Sequence, residues 1–219
     1  MISQLVALFV LAGSLVVCGQ TEEGFVPLFD GKTLTGWFGD AKQHFAVEAG
    51  CLVCQKGCSG NLLTQREYGD FVLRFDFKLT PGTNNGLAIR APKEGDVAYA
   101  GIELQILDNS AEKYRELKDY QFHGSAYGIA PAKRGALKPV GEWNSQEVRC
   151  QGRCLQVILN GKTILDINLD QAAPHGKTID GSDHPGLQRR QGHLGFLCHG
   201  DPVQFRNIRI KELPPHSSD

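Results

Sequence analysis

The residues best able to do chemistry lie on one short run, Gly101-Ile-Glu-Leu-Gln-Ile-Leu-Asp108. Alternation along a strand puts Ile102, Leu104 and Ile106 on one face and Glu103 and Gln105 on the other, with Asp108 at the strand's end. Neighbouring acids can divide acid and base roles when their surroundings separate their pKa values; a plain solvent-facing strand has the same pattern. Arg90, in Asn84-Asn85-Gly86-Leu-Ala-Ile-Arg90, could hold an oxyanion or sugar oxygen in a bidentate grip, or form a surface ion pair. In the stretch from Gln121 to Lys133, His123 could act as a base, Tyr127 as a donor or stacking face, and Lys133 as a cation near developing charge. Trp143 could stack on a sugar ring or fill core. His199 ends a strand at a loop, a favourable place for a site residue. His175, His184, His193 and His199 lack compact metal spacing, so no metal is assigned.

The elements that must carry these groups read as strands. Asp70–Leu79 alternates Phe71, Leu73, Phe75, Phe77 and Leu79 with Val72, Arg74, Asp76 and Lys78, the period of a half-buried strand. Further strands are expected at Gly24–Trp37 (short, then a turn at Asp30-Gly31-Lys32), Phe45–Val47, Cys51–Cys54, Asn61–Thr64, Leu87–Arg90 and Gly101–Leu107. A hairpin Glu142–Gln151/Cys154–Leu159 follows, then an Asn160-Gly161 turn into Thr163–Leu169, and Gly192–Cys198 and Val203–Leu213 close the chain. Asn109–Lys118 has the main helix-like pattern, and Gln171–Gln191 is a long polar loop. About a dozen short strands with turns between them indicate an all-β sandwich of two antiparallel sheets.

Composition limits the partners. Lys plus Arg is 23 and Asp plus Glu is 24, so the net charge is −1, which argues against a nucleic-acid binder. Ile2–Val17 is apolar but shorter than a membrane span needs, and fits a signal peptide over 1–19 with cleavage after Gly19. A lipid anchor on Cys18 fits less well, because Val17 is large for that position. The expectation is an exported protein, periplasmic or extracellular, with one domain over 20–213, a disordered tail over 214–219 and no membrane span in the mature chain. Seven cysteines include Cys18; the other six suggest disulfides Cys54–Cys58 and Cys150–Cys154 across hairpins, with Cys51 and Cys198 left to pair with each other or stay free. The rival reading is a zinc site around Cys51-x-x-Cys54.

Six stretches in order resemble the 3-keto-disaccharide hydrolase family: Phe25–Trp37, Asn85–Pro92, Ala100–Asp108, Gly124–Gly128, Pro139–Asn144 and Gly195–Arg209. The resemblance implies a concanavalin A-like jelly roll with a carbohydrate site on the concave sheet, and cleavage of glycosides oxidised at C3. A C3 ketone acidifies the C2 proton, so a base can form an enolate, C1 can lose its leaving group, and water can add. On that reading Glu103, Asp108 and His123 are the candidate acids or bases. Arg90, Lys133 or a bound divalent cation could hold the enolate oxygen; no cofactor is otherwise implied. Asn85, Gln105, Tyr127, Trp143 and His199 would contact the sugar. Related glucanases carry acids in a Glu-x-Asp-x-x-Glu pattern, and Gln105 stands where the middle acid would be, which argues against paired-carboxylate hydrolysis. A carbohydrate-binding module without turnover and a conventional glycosidase are the alternatives. Neither the oligomeric state nor the sugar is readable from the sequence.

Overall fold

Thirteen strands, all among the described residues, assemble because alternating apolar side chains must be buried between two layers. The computed structural model describes residues 22–174 and 177–216. Residues 1–21, where the signal peptide and the alternative Cys18 anchor are expected, residues 175–176 with His175, and residues 217–219 lie outside the described residues.

The strands are β1 (Val26–Pro27), β2 (Trp37–Phe38), β3 (Phe45–Glu48), β4 (Cys51–Cys54), β5 (Ser59–Tyr68), β6 (Phe71–Leu79), β7 (Asn84–Ala91), β8 (Ile102–Leu107), β9 (Trp143–Gln151), β10 (Cys154–Leu159), β11 (Lys162–Asn168), β12 (Gly192–His199) and β13 (Val203–Glu212). The larger sheet runs β11-β10-β9-β6-β13-β4-β3, with β1 also paired to β13, and the smaller runs β2-β5-β12-β7-β8. All pairings are antiparallel. The fold is a concanavalin A-like jelly-roll sandwich. Two one-turn helices, α1 (Val97–Ala100) and α2 (Leu169–Ala172), decorate it. Among the described residues no helix is long and apolar enough to cross a membrane.

The core follows the alternation. Phe71, Leu73, Phe75, Phe77 and Leu79 of β6 are buried, and Phe196 of β12 stacks on Phe205 of β13 at 3.8 Å between ring centroids, joining the sheets. Trp37 is buried with its indole N–H donating to Leu28 C=O at 3.0 Å. The Asn160-Gly161 turn has positive φ at both residues, as a tight hairpin of this kind requires. The expected helix over Asn109–Lys118 resolves into a 3₁₀ turn at Glu112–Tyr114, with another at Asp119–Gln121. The segment has no apolar stripe to bury against a neighbour, so nothing extends the turn into a helix. At the tail, the His216 N–H donates to Asp70 Oδ2 at 2.7 Å.

The disulfide pairings are corrected. All six cysteines among the described residues are free. On the β9–β10 hairpin, Leu155 rather than Cys154 faces Cys150, so Cys150 is buried and Cys154 exposed. Burial also pushes the Cys150 thiol up to about 11. Cys51 and Cys54 lie three residues apart on β4 and so point to opposite faces. Cys198 packs against Cys54 rather than Cys51.

Candidate functional site

The alternation on β8 places its two faces in different worlds. Ile102, Leu104 and Ile106 are buried between the sheets, while Glu103 and Gln105 project from the outer face of the smaller sheet. Both are nevertheless only 4% exposed, so the plain solvent-facing strand is excluded. Glu103 lies opposite Ala88, and Gln105 opposite Gly86. A Cβ on Gly86 would collide with Glu103 Oε1 and Leu197 Cδ1. The bare backbone there lets the carboxylate lie across β7 toward β12. On β12 it meets His199, whose Nε2 is 3.5 Å from Glu103 Oε1. The neighbouring carboxylate raises the imidazole's pKa, outweighing partial burial. Glu103 Oε1 is buried and has no hydrogen-bond partner among the described residues. The His199 side chain is 41% exposed, which makes it the open side of the pair.

Around this pair the outer face offers what a sugar needs. Leu63, Ala88, Ala91, Val97 and Leu197 form an apolar cluster separate from the core, with Phe38 packed on it. Gln105 Nε2 donates to Asn84 Oδ1 at 2.8 Å. Tyr127 N–H donates to Glu103 C=O at 2.9 Å, and its hydroxyl accepts from Gln121 Nε2 at 3.0 Å. Because Ala126 before it is buried in the core, Tyr127 follows onto the outer side. The amide, phenol, carboxylate and imidazole groups along this edge suit the many hydroxyls of a sugar ring.

The structure places the other expected residues elsewhere. His123 is sealed inside the sandwich, stacked on Phe77 with 5.0 Å between centroids. Its Nδ1 accepts from Leu107 N–H at 3.3 Å and its Nε2 faces Gln146 Oε1 at 3.0 Å. Burial pushes its pKa down to about 4, against the Gln146 hydrogen bond; this is a neutral core histidine, out of reach of a substrate. Asp108 accepts from Gly82 N–H at 2.8 Å and from Ser110 N–H and Oγ–H at 2.9 and 2.6 Å. Burial would raise its pKa, yet these bonds hold it below the usual range. It ties two turns together. Arg90 has a positive φ and a side chain that is 0% exposed. Its guanidinium donates to the carbonyls of Gly152 (2.8 Å), Arg189 (3.3 Å) and Gly69 (3.4 Å) and to Asp70 Oδ1 (3.3 Å). Asn85 is buried in the core, facing Cys198 across the ladder. Lys133 is exposed where its segment reaches the edge of the larger sheet, with its N–H on Ile164 C=O. Trp143 lies on the opposite outer face of the sandwich, under Arg206 and Lys78 at 3.9 and 5.0 Å from its ring.

One group escaped the sequence reading. Asp180 Oδ2 lies 3.2 Å from His184 Nε2, and Tyr99 packs on that imidazole at 4.5 Å between centroids. A Cβ on Gly128 would strike both Asp180 and His184, so the pair sits one residue from Tyr127, along the same edge as Glu103. Burial opposes ionisation of Asp180, but bonds from Thr178, Ser182 and His184 keep its pKa low. The Asp-x-x-x-His spacing was visible, but it lay in a polar loop without periodicity to place it.

Comparison with known proteins follows these observations. The family model described as 3-keto-alpha-glucoside-1,2-lyase-like domain matches residues 24–211. A Bacteroides thetaiotaomicron protein named 3-keto-disaccharide hydrolase is 28% identical over 87% of this chain and 79% of its own length. A crystal structure from Parabacteroides distasonis, provisionally named a glycosyl hydrolase, superposes with a TM-score of 0.75 at 32% identity, covering 86% of this chain and 99% of that one. A carbohydrate-binding module from Bacillus subtilis shares the fold, with a TM-score of 0.56 at 16% identity over 81% and 96% of the two chains.

Proposed function

Since the chain belongs to the family of 3-keto-alpha-glucoside-1,2-lyase-like domains, and is a glycoside hydrolase-like enzyme, we propose that it cleaves glycosides already oxidised at C3 by eliminating across C1–C2. The observation that carries this reading is Glu103: a buried carboxylate with an unpartnered oxygen, 3.5 Å from the half-open His199.

In the proposed reaction Glu103 takes the C2 proton, which the adjacent ketone makes acidic. The resulting enolate returns its electron pair to form the C1–C2 double bond as the C1–O bond breaks. Water then adds across that double bond, so the net change is hydrolysis. His199 Nε2 is the nearest donor for the sugar oxygen that gains charge, and Gln105, braced by Asn84, would orient a hydroxyl. A paired-carboxylate displacement is less well supported, because both Asp108 oxygens are engaged in holding turns. The apolar leader over 1–19 motivates export, which N-terminal sequencing of the mature protein would check.

The test is incubation with a 3-keto-disaccharide and with its unoxidised parent. Cleavage of the keto sugar alone is the expected result. Cleavage of both would mean a conventional glycosidase, and binding without products a carbohydrate-binding module.

A further inference from the structure

Beneath the outer-face site, three cysteines converge inside the sandwich from three places in the chain. Cys54 ends β4 of the larger sheet, Cys58 precedes β5, and Cys198 sits on β12 of the smaller sheet. Cys54 Sγ is 2.6 Å from Cys58 Sγ and 3.2 Å from Cys198 Sγ, and the three sulfurs lie within 4.8 Å of one another. They are 0%, 2% and 5% exposed. Asn85, also fully buried, reaches the same point: its Nδ2 is 3.8 Å from Cys54 Sγ, and its Oδ1 has no partner among the described residues.

Neutral thiols are weak hydrogen-bonding groups, so a buried amide gains little from facing three of them. An orphaned amide oxygen in such a place is costly unless something accepts its lone pairs. A bond between Cys54 and Cys58 would use two sulfurs and leave both Cys198 and Asn85 Oδ1 as they are. A thiophilic cation would use all four groups.

We propose that Cys54, Cys58 and Cys198, with Asn85 Oδ1 as fourth donor, bind one Zn²⁺ ion that ties the two sheets together. Three residues separate Cys54 from Cys58, within the two to four usual between paired zinc ligands. Binding displaces three thiol protons to solvent and leaves a trithiolate zinc centre of net charge −1. Zn–S bonds of ~2.3 Å set tetrahedral sulfurs roughly 3.8 Å apart, so Cys54 and Cys58 separate by about 1 Å. The turn between them contains Gly57 at positive φ, a flexible place to absorb that change. A half-turn of the Asn85 amide brings Oδ1 to the sulfurs in place of Nδ2. Four protein donors leave no open position, so the ion is structural.

The test uses the full-length protein purified under reducing conditions, with zinc content measured and Co²⁺ exchanged in as a spectroscopic probe. One zinc per chain, a thiolate-to-cobalt charge-transfer band, and a lower Tm after chelation are expected. Cys58→Ser and Cys198→Ser should each weaken zinc binding by about tenfold or more, and Cys154→Ser should not. If the serine variants fold poorly, the cobalt spectrum of the unaltered protein still reports sulfur ligation. Absence of zinc and of the charge-transfer band would overturn the proposal. So would a Cys54–Cys58 disulfide formed in the presence of excess zinc, or zinc affinity unchanged by Cys198→Ser.

Discussion

Lowering the pH should destabilise the fold through His123 by an amount the structure allows to be worked out. The imidazole is buried, accepts from Leu107 N–H through Nδ1 and places Nε2 against Gln146 Oε1, an arrangement that the neutral ring satisfies. Its pKa is pushed down to about 4 in the fold, against about 6.5 in the unfolded chain. Between those pH values the unfolded chain carries a proton that the native chain does not, so unfolding takes up a proton and stability falls as pH falls. Each decade is worth ~1.4 kcal/mol, so the full loss from this group is roughly 3 kcal/mol, complete below pH about 4. Urea unfolding of the wild type and His123→Gln from pH 7 to pH 4 measures it. The variant should be less stable at pH 7, by about 1–3 kcal/mol for imperfectly replaced buried bonds. Its disadvantage should shrink or reverse as the wild type loses the extra roughly 3 kcal/mol. Parallel pH profiles for the two proteins would refute the reasoning. So would a loss of keto-sugar cleavage of ~10²-fold or more in His123→Gln at pH 7, because that is the mark of a general base.

Three other substitutions separate site from scaffold. Glu103→Gln should lower keto-disaccharide cleavage by about 10²–10⁴-fold while changing stability in urea by little, since it removes a charge from a buried place without removing bulk. Gly86→Ala should push the Glu103 carboxylate and Leu197 aside, reducing kcat while costing about 1–3 kcal/mol of stability; unchanged kcat would argue against the carboxylate's position. Arg90→Ala should cost roughly 3–5 kcal/mol by removing the buried guanidinium's bonds to Asp70 and to three carbonyls, with the KM of the remaining folded protein unchanged. A large KM change would restore Arg90 to the sugar site.

The strands were legible because burial imposed a period on them, as on β6, where five alternating apolar residues are all in the core. The strand β8 was read correctly in its alternation, but not in its surroundings. Glu103 and Gln105 point away from the core and are still only 4% exposed, because the Glu103 carboxylate lies against Gly86 and His199 and the Gln105 amide is held by Asn84. Arg90 shows the limit of counting by twos: its positive φ breaks the alternation, turning the side chain away from the Glu103 face and into a backbone cage. For His123 and Trp143, residue type suggested chemistry, but burial in one case and the opposite sheet in the other decide the matter. Cysteine spacing likewise suggested pairs across hairpins, whereas strand registry turned Cys150 and Cys154 apart and gathered Cys198 with Cys54 and Cys58.

The most direct test of the proposed elimination is cleavage of a 3-keto-disaccharide in D₂O, with the released sugar analysed by mass spectrometry and NMR against an enzyme-free control. Deuterium at C2 of the released keto sugar, formed at the rate of cleavage and lost in Glu103→Gln, is the predicted result. Cleavage that leaves the original C2 proton in place, or proceeds undiminished in Glu103→Gln, would contradict it.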